Sequence, residues 1–218
     1  MVRAFMKPVS ASTQWTAGEL SVLKTLKTPE RIQTFLDTTA YSTEAIYRSP
    51  RSVLRDRKAH CFDGAMLAAA ALERLGFPPL LIDLRAERDD DHVLAVFKSD
   101  GCWGAIGKSN FVGLRGRDPV YRSLRELAMS YFEAYFNSER ERTLRSCSKA
   151  VSLNAFERQQ WRINDDAMNA IADRLDASPH AALITKAQAR RLAPVDERTL
   201  QGQTICNDFA GTWKPSKG

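Results

Sequence analysis

The sequence is poor in the residues that usually announce a chemistry: only four cysteines, Cys61, Cys102, Cys147 and Cys206, and three histidines, His60, His92 and His180. The cysteines stand far apart, with no C-x-x-C pair, so the spacing excludes a zinc ribbon and a small disulfide-stapled scaffold. No apolar run reaches membrane-spanning length, and the N-terminal "MVRAFMKPVSASTQW" lacks a secretory apolar core. The expectation is a cytoplasmic chain with free thiols and no membrane partner. Net charge is +6 and the pI near 9.3. That charge is spread along the chain without an arginine-rich block or an RNP-like aromatic pattern, so nucleic acid is not the expected partner. Internal repeats are absent. "DDDH" at residues 89–92 is the one acidic run that invites a metal. Its adjacent carboxylates would alternate faces on a strand and no second ligand cluster accompanies them, so a solvated loop is expected, with neither metal nor cofactor.

What is present is an ordinary globular composition, 44% hydrophobic and 27% charged over 218 residues, enough to bury a real core. Three parts are expected: an N-terminal arm over residues 1–27, a core domain over 28–146, and a helical extension over 147–218. In the core, Thr28 and Pro29 read as N-cap and first helical residue, followed by the stripe Ile32, Phe35 and Leu36. Residues 62–75 read as a helix closed by Gly76; "AMLAAAAL" is apolar on every side, so the helix is surrounded by protein. "PLLIDLR" (79–85), "HVLAVF" (92–97) and "CWGAIG" (102–107) read as strands, the last two joined by the turn Ser99-Asp100-Gly101. Residues 122–136 place Leu124, Leu127, Ala128, Tyr131, Phe132 and Tyr135 at helical spacing, predicting one amphipathic helix whose aromatics, with Phe136, are core. Further helices are expected over 164–175 and near 185–192. A buried helix followed by antiparallel strands argues for an α+β fold.

Within that order, Cys61 falls at the first turn of the buried helix. There the unpaired N–H groups and the positive end of the dipole favour thiolate over thiol and can hold an oxyanion. The basic approach "RDRK", with Arg55, Arg57 and Lys58, adds positive charge. His92 opens the central strand and is its one polar side chain at the end where a cleft could form, the place for a general base.

Cysteine at the head of a buried helix ending "LERLGF", then "DHVLAVF", then "GCWGAIG", resembles the transglutaminase-like superfamily of papain-like cysteine enzymes over residues 30–112. The resemblance implies a papain-like core with a buried central helix on a small antiparallel sheet. It also implies Cys61 as nucleophile and His92 as base. The family usually orients that histidine with an aspartate four residues beyond the strand tryptophan, here Trp103, and this chain has Gly107 there. Asn110 or Ser109 could accept the imidazole N–H instead, as asparagine does in papain-like enzymes, with Asp118 more distant.

The unremarkable alternatives are inert packing for Cys102, Cys147 and Cys206, a helix-edge neighbour for His60, and a turn or cap residue for His180. The expected function is a thiol enzyme using Cys61 and His92 for acyl transfer or hydrolysis of an amide, peptide or thioester. The other class kept open is an inactive transglutaminase-like module that binds a protein or peptide partner.

Overall fold

A computed structural model describes residues 15–205 and 212–214; the expectations for residues 1–14 and for Cys206 lie outside the described residues. In chain order the helices are α1 (Ala17–Thr25), α2 (Pro29–Asp37), α3 (Pro50–Asp56), α4 (Cys61–Arg74), α5 (Leu124–Met129), α6 (Ala167–Asp176), α7 (Lys186–Ala189) and α8 (Glu197–Gln203). The strands are β1 (Ala40–Tyr41), β2 (Lys58–Ala59), β3 (Leu80–Ala86), β4 (His92–Ser99), β5 (Cys102–Ile106), β6 (Arg117–Tyr121), β7 (Leu144–Ser148), β8 (Val151–Ser152) and β9 (His180–Ala182). The fold is mixed α+β: a seven-stranded antiparallel sheet ordered β6-β5-β4-β3-β7-β9, with β8 also on β3, plus helices. A separate parallel pair, β1 with β2, brings Tyr41 beside Ala59, two residues before Cys61.

Local chemistry accounts for the elements that place the site. Thr28 caps α2 by accepting the Arg31 N–H, with Pro29 in the first turn. Helix α4 is buried from Phe62 to Leu72, because alanines and Gly64 leave room for neighbours on every side. An added Cβ at Gly64 would meet Lys108 Cβ at 2.3 Å, so the close approach there requires glycine. Beyond the helix, Gly76 turns the chain with φ +93°. Met66, Leu67 and Leu72 are fully buried, each contributing about 1.5–3 kcal/mol of burial free energy.

The alternation of β4 divides the core in two. Val93, Ala95 and Phe97 face α4, whereas Leu94 and Val96 join Leu127, Tyr131, Phe132 and Tyr135 on the opposite side. Asp100 and Gly101, both at positive φ, form the β4–β5 turn.

The sequence pattern misleads in three places. The single helix expected over 122–136 ends at Met129, and Phe132–Ala134 form a separate 3-10 turn. Ser130 bonds back to the Leu127 carbonyl, and the tyrosine hydroxyls leave helical register for carbonyls elsewhere: Tyr131 to Arg115, Tyr135 to Asp90 and Leu84. The sheet is not small. Strands β7, β8 and β9, at and beyond the expected 146/147 boundary, pair with β3 or with each other in the same sheet as β4. His180 is a β9 residue rather than a turn or cap. Its Nδ1–H donates to the Ser178 carbonyl at 2.7 Å and its Nε2 meets Asp83 at 2.9 Å.

Candidate active site

Cys61 is the first residue of α4, and its preceding turn is held by a buried carboxylate. Asp63, fully buried, accepts the Arg48 N–H at 2.7 Å and the His60 N–H at 3.3 Å, locking the loop that enters the helix. His60, which also lines the cleft, is engaged with other groups: its Nε2–H reaches the Ile46 carbonyl at 3.1 Å and its ring meets Tyr47 edge-on at 5.5 Å.

The sulfur of Cys61 lies against the backbone that carries His92. It donates to the Asp91 carbonyl at 3.7 Å and receives the Val93 N–H, so the two peptide groups flanking His92 bracket it. His92 is 4% exposed, and its Nε2 stands 2.8 Å from the Leu114 carbonyl oxygen. A carbonyl only accepts, so Nε2 carries the proton and the neutral ring keeps its lone pair on Nδ1, the tautomer a base needs. The hydrogen bond expected of Asn110 or Ser109 is therefore made by backbone. Ser109 instead accepts the Phe111 N–H, while Asn110 lines the cleft with Cys61 and His92. Asp118 lies elsewhere, beside a second, smaller cavity.

Gly107 lies beside the ring. A Cβ placed there would stand 3.3 Å from His92 Nε2 and 3.2 Å from the Leu114 carbonyl oxygen. The position that the resemblance assigns to an aspartate is thus adjacent to the imidazole, and its emptiness admits the carbonyl. Gln33 of α2 holds Gly107 in place through both of its backbone polar atoms, at 3.1 and 2.9 Å.

Cys61, His92, Ser109 and Asn110 open into one cleft of about 850 Å³, whose walls include Tyr47, Phe111 and Phe136. Asp89, Asp90 and Asp91 form one side. Asp90 and Asp91 are exposed, as expected of a solvated loop, and Asp89 is half-buried; Asp89 accepts from the Thr143 hydroxyl, Asp91 from the Ala86 N–H, and the Asp90 backbone carbonyl from Tyr135. Among the described residues no group of three or more histidine, cysteine or acidic side chains is placed to hold a metal.

The electrostatics correct one expectation. Burial pushes the Cys61 thiol up to about 12, against the Val93 and Phe62 N–H groups that pull it down, and Asp63 and Asp83 raise it further. The basic approach does not offset this, because its charges are spent elsewhere. Arg55 pairs with Asp56, Lys58 with Glu44, and Arg57 lies over the Phe35 ring. Burial likewise presses His92 down to about 4. Both shifts favour the neutral thiol and the neutral imidazole over the thiolate that the helix terminus alone would favour.

Three contributors escaped the sequence: the Leu114 carbonyl, the Val93 N–H and the C-terminal residues 212–214, which also line the cleft. The first two are backbone groups and leave no residue-type signal. No family model matches the chain, and no curated protein does either. No helix among the described residues is long and apolar enough to cross a membrane.

Proposed function

We propose that the chain is a transglutaminase-like thiol enzyme in which Cys61 and His92 carry out acyl transfer or hydrolysis on an amide, peptide or thioester. The observation that carries this is the tautomer. With Nε2–H fixed on the Leu114 carbonyl, Nδ1 is the free base, and the thiol abuts the same strand in the same cleft. Support for the family likeness comes from Gly107, whose place beside Nε2 is the one the family fills with an aspartate.

In this reaction Nδ1 takes the thiol proton as sulfur bonds to the substrate carbonyl carbon. Because both groups rest neutral, proton transfer and attack are coupled rather than sequential. Backbone N–H groups at the head of α4 face the developing oxyanion. The C–N or C–S bond then breaks as Nδ1–H protonates the leaving amine or thiolate. His92 next deprotonates water or an amine, which attacks the Cys61 thioester and restores the thiol.

A non-catalytic, peptide-binding module is favoured by one observation, the thiol and imidazole pressed in opposite directions away from an ion pair. Acylation separates the two. Activated thioesters and p-nitrophenyl esters should leave an acyl adduct on Cys61, read by intact mass and peptide mapping. Loss of the base should slow this by a factor of about 10²–10⁴ in His92→Ala. A folded His92→Ala chain acylated at the wild-type rate would sink the enzymatic assignment and leave the module.

A further inference from the structure

The C-terminal part of the chain is fastened close to the cleft by bonds that the chemistry of Cys61 and His92 does not require. Arg142 donates to the Ala193 carbonyl at 2.6 Å, the Val195 N–H donates to the Arg140 carbonyl at 2.9 Å, and Arg140 pairs with Glu197. Helix α8 then reaches the turn that serves His92, for Gln203 accepts the Gly113 N–H at 2.5 Å, one residue before Leu114. Ser138, in the same loop as Arg140 and Arg142, donates to the Trp213 carbonyl at 3.4 Å. Thr212, Trp213 and Lys214 line the cleft together with Cys61 and His92, and Thr212 and Trp213 are half-buried.

The occupant suits the walls. Phe111 and Phe136, ring centroids 5.7 Å apart, give an aromatic wall. Asp89, Asp90 and Asp91 give an acidic one in a chain whose net charge is +6, and the lining holds one lysine, Lys214.

We propose that the cleft is a peptide-binding site for an aromatic residue followed by a basic one, and that residues 212–214 of this chain occupy it in cis, covering Cys61 until a peptide of the same chemistry displaces them. The proposal rests on the cleft being the functional site, and it names the substrate class that site selects. A substrate segment competes with the tether, so binding and uncovering are one event.

The test reads access to Cys61 rather than turnover. Full-length chain is alkylated with iodoacetamide at fixed pH, and Cys61 is followed by peptide mapping because Cys102 and Cys147 are also free. Trp213→Ala should raise the Cys61 rate roughly tenfold, the factor that half-burial of an aromatic side chain carries. Lys214→Glu should raise it too. Added peptide Thr-Trp-Lys-Pro-Ser, copied from residues 212–216, should restore protection saturably in Trp213→Ala, and its Lys→Glu counterpart should protect less. An unchanged rate in both variants, or no protection by the peptide, overturns the proposal. Equal protection by the two peptides overturns the selection for a basic residue. Alkylation needs no acyl chemistry, so failure here leaves Cys61 acylation standing, and failure of acylation leaves protection readable.

Discussion

Replacing Gly107 with aspartate supplies the carboxylate that the resemblance expects and the chain lacks. The backbone at Gly107 is not in the left-handed region, so a side chain is conformationally allowed. Its Cβ would stand 3.3 Å from His92 Nε2, and the carboxylate, one bond further, would replace the Leu114 carbonyl as acceptor. A carboxylate against an imidazole raises its pKa by about 1–3 units. His92 should therefore move from about 4 to roughly 5–7, worth about 1.4–4 kcal/mol to the imidazolium formed during attack. Against this, the new Cβ comes within 2.5 Å of Leu94 Cδ2, the end of a rotatable but fully buried side chain, an overpacking cost of about 1–3 kcal/mol. Gly107→Asn has the same size without the charge and isolates that cost. The assay is an imidazole titration by NMR of the three chains, with urea unfolding alongside. A folded Gly107→Asp chain whose His92 midpoint stays within half a unit of wild type would refute the placement of position 107 beside the ring.

Three further outcomes follow from the same contacts. Gly64→Ala, which gains about 1 kcal/mol of helix propensity, should nonetheless lower stability in urea by about 1–3 kcal/mol, because the added methyl meets Lys108 Cβ, close to backbone rather than a flexible tip; a stabilised variant would show that α4 and residue 108 are further apart. Lys108→Met should cost about 2–4 kcal/mol, since its buried amine donates to the Leu36 and Thr39 carbonyls at the end of α2, and a loss under half a kcal/mol would contradict those bonds. His92 holds fewer protons folded than unfolded between its ordinary value of 6.5 and about 4, so its share of stability is whole above that window and is lost as pH falls through it, up to about 3 kcal/mol. Asp83 and Asp89, pushed up to about 6 by burial, act in the opposite sense, so the quantity to measure is wild type minus His92→Gln against pH. A flat difference would mean that the ring is not buried neutral.

The fold was legible where a side-chain pattern and a backbone signal agreed. Thr28-Pro29 gave the start of α2, and the all-apolar run before Gly76 gave α4 as a buried helix. The alternation about His92 placed β4 inside the sheet. It failed where side chains answered to partners far off in sequence. Tyr131 and Tyr135 keep helical spacing, but the helix ends at Met129 and their hydroxyls bond the Arg115, Asp90 and Leu84 carbonyls. "LRSCS" and "HAA" are too short and too polar to announce strands, and they pair because β3 offers an edge and His180 can reach Asp83. At the site, Cys61 and His92 were readable as residue types in order. Leu114 was not, because any residue supplies a carbonyl.

The thiol's charge state misled for a related reason. A helix N-terminus and nearby arginines favour thiolate only if the sulfur is wet enough to ionise and the arginines face it. Here Cys61 is only partly exposed, and the two carboxylates that raise it, Asp63 and Asp83, belong to the scaffold, one locking the helix entrance and the other joining β3 to β9. A third carboxylate at position 107 would stabilise the imidazolium, yet it would add negative charge to a site where negative charge already opposes the thiolate. A backbone carbonyl fixes the same tautomer without that penalty, since it is a dipole and titrates at no pH. The cost is a weaker hold on the imidazolium once it forms. In the proposed reaction, orientation and charge stabilisation, which one aspartate would supply together, are separated: Leu114 supplies the first without the second.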